Sequence, residues 1–188
     1  MTISSSAAVY GQPDALPVNE DAPLRPANVY GRTKRIVEDF LRDLARANPN
    51  WRIAILRYFN PAGAHSSAML GESPRGRPQN LVPLLCRIAA GEEAELTVNG
   101  TDWPTPDGSN IRDYVHVEDL AEAHCAAARY MENSGRGAGV LNVGSGCGFS
   151  VFNVLETISR LSGRSVRMTI TDRRPGDVAA VVADSSRI

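Results

Sequence analysis

The chain has 188 residues, 43% of them apolar and 22% charged. That fits one medium globular domain, or one domain with a small second lobe, and argues against general disorder. Twenty basic and twenty-one acidic side chains leave a net charge of −1, so nucleic-acid binding, which draws on a basic excess, is not expected. No stretch nears the roughly 20 apolar residues of a membrane span. Met1 to Ser6 has neither the basic nor the apolar run of a secretory leader. A cytoplasmic protein without a membrane partner is the expectation. Cys86, Cys125 and Cys147 are odd in number and far apart; they read as small buried thiols rather than a disulfide framework. His65, His116 and His124 form no H-E-x-x-H, and no metal site is expected.

In chain order, Met1 to Ile3 reads as the tail of a strand. Asn28 to Asn48 is the clearest helix, with Asn28 as its cap, Pro49 after its end, and Val37, Phe40, Leu41 and Leu44 as its core face. Ile53 to Leu56, flanked by Arg52 and Arg57, suits a strand buried on both faces of a parallel sheet. The Gly- and Pro-rich segment from Asn60 to Pro78 is too long for a plain connector and reads as a functional loop. A helix is expected over Leu81 to Ala90, stopping at Gly91, and a short strand at Leu96 to Val98. A second polar loop runs from Gly100 to Asn110. Tyr114 to Val117 reads as extended, Glu118 to about Met131 as a helix, and Val140 to Val143 as a strand ending in the turn Gly144-Ser145-Gly146. Ser150 caps a helix bearing Val151, Val154, Leu155, Ile158 and Leu161. Val166, Met168 and Ile170 alternate with polar residues as a half-buried strand. Strands alternating with helices predict an α/β fold, and the two long loops predict a second lobe.

Two local patterns carry chemistry. In Tyr30-Gly31-Arg32-Thr33-Lys34, Tyr30 and Lys34 stand one helical turn apart on one face. A phenol is a poor base at neutral pH; a neighbouring ammonium stabilises the phenolate and makes it a usable one. The same spacing also fits an ordinary first-turn tyrosine and a lysine reaching for solvent. In Ser4-Ser5-Ser6-Ala7-Ala8-Val9-Tyr10-Gly11, the serines lie at the carboxyl end of the first strand, where open α/β sheets bind ligands. A hydroxyl there can donate to and accept from a substrate hydroxyl at once. The plain alternative is a polar tail.

Further stretches follow in order. They are Leu56-Arg57-Tyr58-Phe59-Asn60-Pro61-Ala62-Gly63-Ala64-His65, Asn80-Leu81-Val82-Pro83, Asp107 through Leu120, Asn142 through Gly146, and Arg173-Arg174-Pro175-Gly176-Asp177. With the serine and Tyr-x-x-x-Lys motifs, this series resembles the extended short-chain dehydrogenase/reductase family, and within it the UDP-glucose 4-epimerases, over essentially the whole chain. The resemblance implies the remnant of a doubly wound, Rossmann-like parallel sheet over 1–60. A smaller α/β nucleotide-sugar-binding lobe over 61–188 follows, with roughly 111–145 returning to the sheet. It implies interconversion of UDP-glucose and UDP-galactose, as in galactose metabolism, through transient hydride transfer to NAD and a 4-keto sugar.

Residue by residue, the resemblance makes Tyr30 the base, Lys34 its electrostatic support and ribose contact, and Ser6 the partner at the sugar oxygen. Tyr58 joins Tyr30 and Lys34 beside the cofactor. Asn60, Asn80 and Leu81 line the nucleotide-sugar pocket, Arg112 and Arg174 neutralise the diphosphate, and Asp177 accepts from the ribose. Val181 stands where a wall residue sets the room at the sugar's carbon 2; its small size implies acceptance of N-acetylated sugars. A homodimer through the helix 28–48 is also expected. Nucleotide-sugar 4,6-dehydratases share the pattern but place an Asp-Glu pair where this chain has Ala7 and Ala8. The family's G-x-x-G-x-x-G pyrophosphate motif is absent from this sequence; Gly144-Ser145-Gly146-Cys147-Gly148 lacks its third glycine, with Phe149 in that place, and reads as a structural turn. The chain therefore looks truncated at both ends, and a nucleotide-sugar-binding fragment without catalysis is the alternative expectation.

Overall fold

The computed structural model describes residues 1–133 and 137–188. Strand β1 (Thr2–Ser6) runs into a single 3-10 turn, Ala7–Val9, and a loop leads to helix α1 (Val29–Ala47). Then come β2 (Arg52–Tyr58), β3 (Asn60–Ala62), α2 (Leu81–Ala90), β4 (Leu96–Asn99), β5 (Ile111–His116) and α3 (Val117–Asn133). The rest is β6 (Gly137–Val143), β7 (Gly148–Ser150), α4 (Val151–Ser162), β8 (Met168–Thr171) and β9 (Ala180–Val181).

β1, β2 and β6 form a parallel sheet in that order, and β2 is its centre. Ile53, Ala54, Ile55 and Leu56 are all fully buried, as a strand covered on both faces requires. Ile53 and Ile55 face Leu41 and Ala45 of α1, while Ala54 and Leu56 face Ala127 and Met131 of α3. Each buried Ile or Leu contributes about 1.5–3 kcal/mol, so this alternation supplies most of the layer's cohesion. A second sheet, β3-β5-β7 with β9 beside β5, sits at the carboxyl end of the first. The parallel pair β4–β8 forms a small lobe in which α2 and α4 cover Leu96 and Val98.

The turn after β6 has a structural task. The fully buried Asp113 carboxylate accepts from the Ser145 amide and hydroxyl, each at 2.7 Å, the Gly146 amide at 2.9 Å and the Ala183 amide at 3.0 Å. A Cβ at Gly144 would stand 2.7 Å from that carboxylate, so only glycine fits the wrap.

Five expectations are corrected. The buried row of α1 is Gly31, Glu38, Leu41 and Ala45, while Val37 and Phe40 point outward with 42% and 65% exposure. The reason is Arg57, which lies inside β2 rather than flanking it and draws Glu38 inward. Cys86, Cys125 and Cys147 are all exposed, on helix surfaces and a turn. Met168 and Ile170 pair with Leu96 and Val98 but lie beyond the cover of the two helices, so they stay about half exposed. Leu161, at the outer end of α4, is likewise exposed. Among the described residues no helix is long and apolar enough to cross a membrane.

Candidate functional site

The site forms where β1 and β2 end and the second sheet begins. Ser6 closes β1, and its hydroxyl accepts from the Ala8 amide at 3.2 Å, capping the 3-10 turn. Gly31 brings the first turn of α1 onto that turn: a Cβ there would lie 2.4 Å from the Ala8 carbonyl oxygen. Asn28 caps α1 by accepting from the Gly31 amide at 2.8 Å and donates to the Gly176 carbonyl at 3.3 Å. One residue thus ties the start of α1 to the Arg174–Asp177 loop.

Tyr30 is 55% exposed. The Lys34 Nζ lies 5.6 Å from the centre of its ring and donates to the Ser4 carbonyl at 3.0 Å. An ammonium has three donors, so Lys34 keeps capacity for a ligand. The Ser4 hydroxyl is 2.8 Å from the Tyr58 hydroxyl, which also meets His124 Nε2 of α3.

A cavity of about 180 Å³ gathers Ser6, Tyr58, Asn60, Arg112, Asp177 and Val181. Val181 is buried and sits opposite Arg112 across the β5–β9 pairing. Arg112 donates to the Ile111 carbonyl at 2.8 Å. Burial pushes its guanidinium below the ordinary arginine value, against the pull of the Asp177 carboxylate. A desolvated cation with such modest compensation favours an anionic ligand. Arg174 lies outside the lining and pairs with Asp177 at 3.0 Å, its side chain 63% exposed. An incoming anion and an incoming hydroxyl would compete for these two groups together.

Asn60 also borders a larger, mainly apolar cavity of about 520 Å³ with Asn80, Leu81 and Tyr114. Asn80 stands at the start of α2 without capping it and donates to Glu72 at 2.9 Å. Burial raises the Tyr114 phenol, against the effect of Arg112. The structure therefore brings six of the expected residues into one cavity and three into its neighbour, Asn60 being common to both. Tyr30, Lys34 and Arg174 stand outside both linings.

Sequence reasoning missed His124, Tyr114 and the buried groups beneath the site. His124 sits in an alanine-rich helix where nothing in the spacing marks it. Glu38 could have been found: it continues the row of Tyr30 and Lys34 by one more turn.

Residues 1–144 match the family model described as "NAD dependent epimerase/dehydratase family". The chain belongs to that family. It is 46% identical over 187 residues to the UDP-glucose 4-epimerase of Bacillus subtilis, matching 100% of this chain and 55% of that protein. It is 48% identical over 188 residues to a bifunctional UDP-glucose and UDP-xylose 4-epimerase of Pisum sativum, across 100% of this chain and 54% of that one. The UDP-glucose 4-epimerase of Bifidobacterium longum, solved with NAD+ and UDP, superposes with a TM-score of 0.94 at 45% identity, covering 99% of this chain and 55% of that one. The chain thus spans about half the length of the epimerase/dehydratase relatives it matches.

Proposed function

We propose that the chain carries the proton-transfer and nucleotide-sugar-binding half of a UDP-glucose 4-epimerase. The observation that carries this reading is the cavity joining Ser6, Asn60, Arg112, Asp177 and Val181 beside the Tyr30–Lys34 pair. The family contains epimerases and dehydratases by its own description. Ala7 and Ala8, on the turn directly after Ser6, have no side-chain proton to give, which favours epimerisation.

In this reading Tyr30 takes the proton from the sugar's carbon-4 hydroxyl, and the Lys34 ammonium stabilises the phenolate. Ser6 bonds the same oxygen and holds it in line. Arg112 faces the diphosphate, joined by Arg174 once the ligand displaces Asp177, which turns to the ribose. Asn60, Asn80 and Leu81 border the nucleotide and sugar. Exposed Tyr30, Lys34 with donors to spare, and Tyr58 fit the nicotinamide-ribose end of NAD. That group supplies a reversible acceptor for the carbon-4 hydride.

UDP should therefore bind the 188-residue chain, and Arg112→Ala should weaken it by about 1.5–3 kcal/mol, roughly ten- to a hundredfold, as one charged hydrogen-bonding partner is lost. Isothermal titration reads this directly; equal affinity in both proteins would refute the role of Arg112.

Val181 leaves more room at carbon 2 than a tyrosine would. UDP-N-acetylglucosamine is expected as a substrate alongside UDP-glucose, because spare space costs little compared with a clash. The assay uses this chain completed with the remaining length of the Bacillus subtilis relative. Val181→Tyr should remove the N-acetyl activity selectively, and wild-type activity on UDP-glucose alone would defeat the idea.

The outward face of α1, with Val29, Ile36, Val37 and Phe40 exposed, is the surface for a second copy in this reading. Sedimentation should show a dimer that Phe40→Glu converts to monomer; a monomeric wild type would count against it. A cytoplasmic setting follows from the same reading of a sugar-nucleotide enzyme; fractionation that placed the protein elsewhere would revise it.

A further inference from the structure

The ion pair between Glu38 and Arg57 has both side chains fully buried. Arg57 Nε donates to Glu38 Oε1 at 3.0 Å and Nη2 to Oε2 at 2.6 Å, a two-pronged contact with fixed geometry. The Ser5 hydroxyl donates to the same carboxylate at 2.5 Å. On the other side, Arg57 Nη1 donates to the Tyr10 hydroxyl at 2.8 Å and to the Glu20 carbonyl at 3.0 Å. The Tyr10 hydroxyl in turn donates to Asn142 of β6 at 2.6 Å.

The three members at its centre each neighbour a residue of the site. Ser5 precedes Ser6, Arg57 precedes Tyr58, and Glu38 stands one turn beyond Lys34 and two beyond Tyr30 on α1. The first turn of α1 is held by Gly31 and Asn28; beyond it, apart from Glu38, α1 meets β2 through apolar side chains, Leu41, Leu44 and Ala45 around Ile53 and Ile55. Apolar contacts of that kind are non-directional and do not by themselves fix a helix along its axis. The Lys34 bond to the Ser4 carbonyl exists only if α1 keeps its present register on β1.

Stability is a poor reason for such a pair. Desolvating two charges costs about as much as their attraction returns, and apolar replacements of similar volume are often neutral or better. What apolar side chains cannot reproduce is direction.

We propose that Glu38 and Arg57 are positioning residues that lock α1 onto β1 and β2, setting Tyr30 and Lys34 against Ser6 and Tyr58. The role of those four in catalysis rests on the epimerase reading above; the lock itself is a matter of geometry.

The test is the double variant Glu38→Met with Arg57→Met, which removes both buried charges; Arg42, which also reaches Glu38 at 3.4 Å, is partly exposed and keeps its contact with solvent. Thermal unfolding should occur at the wild-type temperature or above it. A crystal structure of the variant should show α1 displaced along β1 by about 1 Å, with Lys34 out of reach of the Ser4 carbonyl; a displacement of that size costs on the order of 10²-fold in turnover. In the completed protein, kcat should fall by that factor and KM should change far less, since Asn60 and Arg112 stand on β3 and β5 rather than on α1. Combining the double variant with Tyr30→Phe should add no further loss, because both act through one phenol. An unchanged register, or losses that multiply with Tyr30→Phe, would overturn the proposal. Glu38→Gln with Arg57→Met keeps an acceptor for Ser5 and serves if the first variant does not fold. Failure of both to fold would assign the pair to stability and also overturn it. A completed wild type without turnover would defeat the epimerase reading, and the register measurement would still decide this one.

Discussion

Replacing Tyr30 by Phe is expected to lower sugar-nucleotide epimerisation by about 10²–10⁴-fold in the completed protein. The change removes one oxygen from a ring that is more than half exposed, so packing around it hardly alters. The Lys34 Nζ would keep its bond to the Ser4 carbonyl and its place beside the ring. What disappears is the group that, in the proposed reading, accepts the proton of the carbon-4 hydroxyl. Ser6→Ala should cost less, because the Ser6 hydroxyl is engaged with the Ala8 amide and, in the proposed reading, assists a proton transfer that Tyr30 completes. Progress curves for the two variants, followed by sugar-nucleotide chromatography, give the comparison. Near-normal turnover in Tyr30→Phe would remove Tyr30 from the mechanism, and a Ser6→Ala loss larger than that of Tyr30→Phe would exchange their roles.

Glu38→Ala should destabilise the chain by about 3–5 kcal/mol. It strands the fully buried Arg57 charge and leaves the Ser5 hydroxyl without its acceptor. Burial works against the Arg57 charge, and the Glu38 carboxylate together with the Tyr10 hydroxyl more than offsets it, holding the guanidinium above its ordinary value. A domain typically has about 5–15 kcal/mol in total, so the variant should unfold far earlier in urea. The contrast with the paired methionine variant is sharp: removing one charge is costly, removing both is not. A Glu38→Ala midpoint within about 1 kcal/mol of wild type would mean that water or another side chain reaches Arg57, and that the pair is less enclosed than its geometry indicates.

Much of the fold was legible because period and punctuation agreed. Asn28, Ser150 and Gly91 mark helix ends by their own chemistry, and Ile53 to Leu56 can hardly be anything but a central strand. The expected helix over Asn28 to Asn48 and the observed α1 differ by one residue at each end. Its orientation was not legible from the apolar residues. Counting apolar residues chose Val37 and Phe40 for the core, whereas a glutamate took that place because an arginine from a strand nineteen residues on came to meet it. Tertiary pairing of charges leaves no trace in hydrophobic period. β8 departs for another reason: its alternation is genuine, but α2 and α4 do not reach over Met168 and Ile170.

The site divides in the same way. Ser6, Asn60, Arg112 and the pair Asp177 and Val181 come from four separate places in the chain and meet in one cavity. Their convergence followed from collinear motifs, since no spacing rule joins Ser6 to Val181. The local Tyr30–Lys34 pair, by contrast, was readable from helical geometry alone. Asp113 and Asn142 lay within the quoted motifs, yet their work is structural: one gathers a turn and the chain near Ala183, the other links Tyr10 to the Val18 carbonyl. A motif match does not by itself separate residues that touch a ligand from those that hold the residues that do.

The most direct test follows the hydrogen at carbon 4. UDP-galactose deuterated at that carbon is incubated with the completed protein and NAD in ordinary water, and the UDP-glucose formed is analysed by mass spectrometry and proton NMR. A Tyr30 base that handles only the hydroxyl proton, with the carbon-bound hydrogen taken and returned as hydride, predicts product with the deuterium retained at carbon 4. Product that has lost the label to solvent, or no UDP-glucose at all, would contradict the account.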